Sequence, residues 1–246
     1  MYNILKNSIN SDKKNILLSF FKICFLYIIY SINIYLIMGI FGCKRNLKHR
    51  CEDSYERRIP KKVKKPVLYL YPEEITDVEI KLTLKNSKFT CIYPKFNESE
   101  NTWKVKAFPN GEISISDKKY PYLFWEADSY DTQDLSKGFV VKAENAQEFL
   151  EEKLKMFGLN DKELCDFITF WLPVLIKNKL SLCSFQTNTF FDSMVYDITP
   201  KPKTVLRVFL SIKKLNEEIK IEEQEIKEFK REGFTIVEWG GSEISN

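Results

Sequence analysis

Between Val78 and Leu84 the chain runs VEIKLTL, with apolar Val78, Ile80, Leu82 and Leu84 alternating against Glu79, Lys81 and Thr83. A two-residue period puts one set of side chains on one face of an extended chain and predicts a half-buried strand. Similar signals surround it: VLYLY from Val67, cut off by Pro72, a run over residues 89–93, and TWKVKAF and GEISIS flanking Pro109, Asn110 and Gly111. Proline fixes φ and glycine accepts positive φ, so the last two stretches are expected to form a hairpin. YPYLFWE, residues 120–126, is too aromatic for a solvated loop and is expected to close the first sheet.

The period then changes. Asn145 with Glu148, and Asn160 with Glu163, each set a capping residue three positions ahead of an acid, which marks a helix start. Phe149, Leu150, Leu154 and Phe157 form one face of the first helix, ended by Gly158; Leu164, Phe167, Ile168, Trp171, Leu172 and Leu175 recur at helical spacing in the second. Pro173 is expected to kink or end that helix. Strands return with LSLCSFQ and VLRVFLSIK, in which Leu206, Val208, Leu210 and Ile212 share a face. Residues 222–231 are expected as a short helix or long loop, and the last strand, FTIVEW, is expected to stop at Gly240 and Gly241. Strands, a helical pair and strands again predict an α+β domain over residues 66–246: a mainly antiparallel sheet or sandwich with an inserted helical pair.

Ahead of this domain comes a stretch where polar positions are rare, limited to Lys22, Asn33 and small hydroxyl residues. Residues 16–41 run ILLSFFKICFLYIIYSINIYLIMGIF. At about 1.5 Å per residue, residues 23–41 come close to the ~30 Å hydrocarbon core of a bilayer, and Lys22 can extend its ammonium to the interface. Residues 16–42 are therefore expected to be a transmembrane or signal-anchor segment, after a tail of residues 1–15 and before a basic linker, residues 43–65. Lys6, Lys13 and Lys14 precede the segment and ten lysines or arginines follow it, so the positive-inside rule places the domain on the cytoplasmic side of a single-pass protein.

Two other accounts of the stretch MGIFGCKRN stay open. Gly42 before Cys43 resembles a bacterial lipoprotein cleavage site, which would export the domain; the bulk of Phe41 and the positive cluster after Cys43 oppose it. A start at Met38 instead of Met1 would expose Gly39 for myristoylation and Cys43 for palmitoylation beside the basic tail. All three accounts put the chain at a membrane.

Charge is distributed unevenly. Residues 1–43 carry +3 and residues 44–65 carry +7, so in a chain of net +4 residues 66–246 carry −6. A nucleic-acid binder needs a cationic footprint on its folded surface, and that class is excluded as a partner. Of six cysteines, only Cys91, Cys165 and Cys183 fall in the domain; three cannot all pair, and their apolar neighbours predict buried free thiols.

His49 is the only histidine and lies in the basic tail, which removes Ser-His and Cys-His nucleophiles and imidazole zinc sites from the domain. Cys43, His49 and Cys51 lack a fourth ligand, so no metal is assigned there. Eight scattered glycines form no phosphate loop, and no cofactor is expected. What remains is carboxylates beside indoles: Trp125-Glu126 and Glu238-Trp239. Two such acids on one cleft could act as acid and nucleophile of a glycosidase, whereas strand alternation would bury both tryptophans and expose both acids. Asp128, Asp131 and Asp134 do not match an EF-hand loop. Tyr120, Tyr122, Trp125 and Trp239 are the candidate binding aromatics, since flat rings offer contact area to a sugar or peptide at little entropic cost.

KPVLYLYPEE, YPYLFWEA, DFITFWLP, SFQT and EWGG together resemble an uncharacterised family of bacterial, often exported or lipid-anchored, chains, over residues 65–244. The resemblance implies a compact domain behind a variable anchor and brings no functional residue with it. It also implies the outward-facing alternative. The sequence thus predicts a membrane-tethered, non-enzymatic binding or structural module with a protein or glycan partner; the competing class is a carbohydrate-active hydrolase using Glu126 and Glu238.

Overall fold

The computed structural model describes residues 60–186 and 188–244. The expected membrane segment, both candidate starts and Cys43 lie outside the described residues. Among those described, no helix is long and apolar enough to cross a membrane. They all belong to one compact unit, Arg58–Asn246.

In chain order the strands are β1 (Lys61–Tyr71), β2 (Thr76–Leu84), β3 (Ser87–Tyr93), β4 (Thr102–Ala107), β5 (Ile113–Ile115), β6 (Lys118–Tyr120), β7 (Leu123–Ser129) and β8 (Phe139–Lys142). Helices α1 (Ala146–Met156) and α2 (Asp161–Asn178) follow, then β9 (Leu180–Phe185), the single turn α3 (Asn188–Phe191), β10 (Met194–Thr199), β11 (Thr204–Lys214) and β12 (Thr235–Ile244). Seven strands form one sheet in the order β3-β7-β1-β12-β11-β9-β8, and five form a second in the order β10-β2-β4-β5-β6. Every pairing is antiparallel except β11 with β12. The fold is α+β and sandwich-like, as the element pattern predicts.

The larger sheet is the middle layer, and its central strands show why. In β1, Val67 and Tyr69 join the core formed with α1 and α2, while Leu68 and Leu70 join the core formed with the smaller sheet. In β11, Leu206, Val208, Leu210 and Ile212 face the helices and Phe209 faces the smaller sheet. Strands covered on both faces read as continuous apolar runs, which accounts for VLYLY and VLRVFLSI. β2 is covered on one face only and keeps the strict alternation of VEIKLTL.

Several local expectations hold. Residues 107 and 113 pair across the predicted hairpin, with Gly111 at φ +86 in its turn. Asn160 and Glu163 form a complete capping box at the start of α2. Gly158, at φ +80, follows the end of α1.

Others are corrected. The basic linker ends earlier than residue 65: Lys61, Lys62 and Val63 pair with Ser129, Asp128 and Ala127, and Val63 is buried. The four lysines at 61, 62, 64 and 65 therefore belong to the folded unit, and residues 61–246 carry −2 rather than the −6 of residues 66–246. YPYLFWE does not close one sheet; β6 ends at Tyr120 in the smaller sheet and β7 begins at Leu123 between β3 and β1 in the larger. Asn145 makes no side-chain cap because it already has helical dihedrals at the end of a 3-10 turn, Ala143–Asn145. Pro173 does not end α2, one of the two outcomes expected of it: the helix runs on to Asn178, with Trp171 and Leu175 buried on either side of the proline, and their burial outweighs one missing backbone hydrogen bond. Residues 222–231 lie in a long loop, residues 215–234, which is the second of the two forms expected for them. Cys183 is buried as expected, but Cys91 and Cys165 are exposed.

Gly240 and Gly241 do not stop the last strand. They sit inside β12, where a Cβ on Gly241 would lie 2.5 Å from the Leu210 carbonyl oxygen and 2.5 Å from Trp171 Cζ2. A Cβ on Gly240 would lie 3.2 Å from Pro66 Cα. The pair of glycines lets α2 and β1 approach β12 closely, a role for strand glycine that ends nothing.

Candidate functional site

β11 has unequal neighbours. β12 pairs with it over residues 204–213, but β9 pairs only over residues 210–214. The last rung on the β9 side is the Gln186 N–H donating to the Phe209 carbonyl at 2.9 Å. From there the chain leaves the larger sheet, passes through α3 and returns as β10, the edge strand of the smaller sheet. Beside residues 205–207 of β11 a cleft of ≈ 1430 Å³ opens, walled by β11, by β10 and by the loop segment around Gln224 and Ile226.

That loop is held at several points. The Gln224 side-chain amide exchanges two hydrogen bonds with the Phe185 backbone, at 2.7 and 2.8 Å, filling the place a strand would take where β8 has ended. The Phe229 N–H donates to the Met156 carbonyl at 3.1 Å. Arg231 donates through Nε to the Gly158 carbonyl at 2.8 Å and through both terminal nitrogens to Glu163, which is fully buried at the start of α2. Glu163 thus serves twice: its carboxylate also accepts the Asn160 N–H at 2.9 Å in the capping box.

The floor of the cleft is a closed polar cluster. Arg207 and Glu238 are register partners across the parallel pair, and Arg207 Nε donates to Glu238 Oε2 at 2.6 Å. Glu238 Oε1 accepts from the Tyr196 hydroxyl and from Trp125 Nε1 at 3.2 Å, and Trp125 also donates to the Tyr196 oxygen at 2.8 Å. Arg207 Nη1 donates to the Met194 carbonyl at 2.7 Å, its guanidinium lies over the Phe191 ring at 4.2 Å, and Nη2 has no partner among the described residues. A charge taken out of water needs an opposite charge and hydrogen bonds to remain ionised. Each ion of this pair provides for the other.

Three phenols are held protonated. Burial, then the Glu238 charge, raises the Tyr196 pKa well above 10.0; burial, then Asp166, does the same for Tyr69, and burial, then Glu163, for Tyr71. Below pH 10 these tyrosines are protonated in both the folded and the unfolded chain, so their contribution is fully present. Above it the unfolded chain releases protons that the folded chain keeps, so stability is expected to fall with rising pH, by about 1.4 kcal/mol per pH unit for each tyrosine. Urea midpoints measured on both sides of pH 10 check this; a flat profile through that region refutes it.

The structure separates the residues singled out in the sequence. Glu238 faces the smaller sheet, whereas Glu126 lies on the helix face of β7 with Phe124 and accepts the Lys65 N–H at 3.1 Å. The two carboxylates project from opposite faces of one sheet and do not flank a common bond. Trp125 and Trp239 are likewise buried in different cores. Tyr122 packs edge-on against Tyr69, with ring centroids 5.5 Å apart. Tyr120 lines a smaller hollow of ≈ 320 Å³ with Tyr69, Tyr71, Lys119 and Lys162. The four aromatics therefore form no single platform. Asp131 accepts from Asn86 and from the Ser129 and Ser193 hydroxyls, and no group of three metal-ligating side chains stands together among the described residues.

Sequence reasoning missed Tyr196 and Arg207. The alternation of Met194, Tyr196 and Ile198 against Val195, Asp197 and Thr199 marks β10, and a lone arginine inside VLRVFLSIK demands a buried acid; both signals were legible.

No family model matches the chain, and no solved structure matches it significantly. It is similar to an uncharacterized protein in the bglA 3' region of Butyrivibrio fibrisolvens, 35% identical over 94 residues, which cover 38% of this chain and 86% of that protein.

Proposed function

The chain belongs to the same family as that Butyrivibrio fibrisolvens protein, and we propose that it is a membrane-tethered, non-enzymatic module that binds a protein partner in the cleft beside β11. The apolar stretch of residues 16–41 supports the tether. The cleft itself carries the binding assignment. It is large, and two of its apolar side chains, Val195 and Val205, are 41% and 46% exposed, on strands whose other apolar residues are largely covered. Solvated valines beside a walled groove are surface that a partner can cover with gain. Glu238, the acid beneath the floor, is already committed to Arg207, Tyr196 and Trp125.

Peptides selected by display against the full-length chain in detergent provide the test. Val205→Glu or Val195→Glu is expected to weaken the selected binders by at least about tenfold, while Ile75→Glu, at an exposed residue outside the cleft, leaves them unchanged. Binders indifferent to both valine variants, or a failure to select any, would remove the cleft as the site.

A further inference from the structure

We infer that the cleft takes its partner as an extended peptide added as a strand to the open edge of β11, in the seat that β9 vacates after Gln186; this rests on the binding reading above. The directions of the backbone groups define the seat. The Phe209 carbonyl accepts from Gln186, so it points toward β9. A strand turns its N–H and C=O groups to alternate sides with a period of two. Val205 and Arg207 therefore direct theirs to the same side as Phe209, where β9 no longer runs and no strand or backbone hydrogen bond meets residues 205–208 among the described residues. The opposite side of β11 is taken by β12 throughout. Among the described residues the open edge thus offers one row of unpaired donors and acceptors, about 13 Å long at some 3.3 Å per residue, enough for about four ligand residues.

Charge selects the ligand's chemistry. Around the cleft Lys85, Lys201 and Lys227 are matched by Asp192, Asp197 and Glu225. Arg207 is neutralised by Glu238. A balanced rim gives no field to hold a nucleic acid or other polyanion, and a chain of neutral amides suits it better. The seat also differs from an ordinary exposed sheet edge. Native proteins blunt such edges with charge, bulges or short strands; here the open residues sit inside a cleft, between the β10 wall and the loop at Gln224. That wall shields the edge from casual pairing while leaving room for one strand. Val205 then has a neighbour on the added strand to pack against.

The experiment is a backbone N-methyl scan of one display-selected peptide, read by fluorescence anisotropy against the full-length chain in detergent. Methylation removes a backbone donor and leaves the side chain. Strand addition predicts losses of about fivefold to tenfold at every second residue, with the intervening positions tolerant. Loss without a period of two, or uniform tolerance, overturns strand addition while leaving the cleft as a side-chain recognition site. Binding that survives Val205→Glu overturns the cleft itself, so the two readings fail separately. A full-length chain that sediments as a dimer, and becomes monomeric with Val205→Glu, would assign the seat to a second copy and overturn the peptide assignment.

Discussion

Replacing Glu238 with alanine is expected to lower the unfolding free energy by about 3–5 kcal/mol. Its side chain is 6% exposed and its Arg207 partner 14%, so the substitution leaves a guanidinium charge in the interior with only the Met194 carbonyl and two aromatic faces against it. Trp125 and Tyr196 lose an acceptor in the same step. The large figure measures the orphaned cation more than the worth of the pair. Accordingly, Arg207→Met with Glu238→Leu, which removes both charges and keeps apolar volume, is expected to recover most of the loss. Tyr196→Phe, which deletes the hydrogen bond given to Glu238 and the one taken from Trp125 but no charge, is expected to cost about 1–3 kcal/mol. Urea denaturation of Arg207→Met, of Glu238→Leu and of their double variant closes the cycle. A Glu238→Ala loss under about 1 kcal/mol, or a double variant as damaged as the single, would show that this cluster does not hold β11 and β12 together.

A loss of similar size is expected at Glu163, with a different signature. The carboxylate is fully buried, receives two nitrogens of Arg231 and caps α2. Glu163→Ala leaves a partly buried arginine with only the Gly158 carbonyl, about 3 kcal/mol, and removes half of a capping box, about 1 kcal/mol more. Because Arg231 is where the loop of residues 215–234 is tied to the helix layer, backbone amides of residues 222–231 are expected to exchange faster with solvent than those of β12, beyond what the global loss of stability produces. Hydrogen exchange followed by mass spectrometry resolves the two segments. Equal acceleration in both would mean that the ion pair supports the whole unit and has no special hold on the loop. A loosened loop also alters the cleft wall at Gln224 and Ile226, so the same variant is expected to weaken peptide capture without touching β11.

How much of this was written locally in the chain depends on the range of each interaction. The capping box at Asn160 and Glu163 spans three residues and is complete as read; the same spacing at Asn145 and Glu148 fails because a preceding 3-10 turn sets the asparagine's dihedrals before its side chain can cap. β2 is legible from its alternation because one face meets water. Residues 61–65 look like a solvated tether, yet one valine among four lysines suffices to seat them in β1. Pro173, Gly240 and Gly241 are breakers by local rule and are overruled by contacts from distant segments: Trp171 meets Gly241 across 70 positions. The candidate acids show the limit most clearly. Each stands beside a tryptophan in the same kind of strand, but which face each carboxylate takes follows from strand register, and no local pattern separates Glu126 from Glu238. The open edge of β11 was equally hidden, since it exists only because β9 stops opposite Leu210.

The place of β12 sets a condition on how the protein is made. Last of the described strands in the chain, it lies fourth of seven in its sheet, between β1 and β11. A ribosome that has delivered everything through Lys214 has released two halves of the larger sheet that only the β2–β10 pairing of the smaller sheet connects, and both cores stay open until Thr235–Ile244 follows. Neither core can close before β12 is available to the rest of the unit. A message truncated before codon 235 yields a product with two unpaired central edges, which quality-control proteases and chaperones would meet as an unfolded chain.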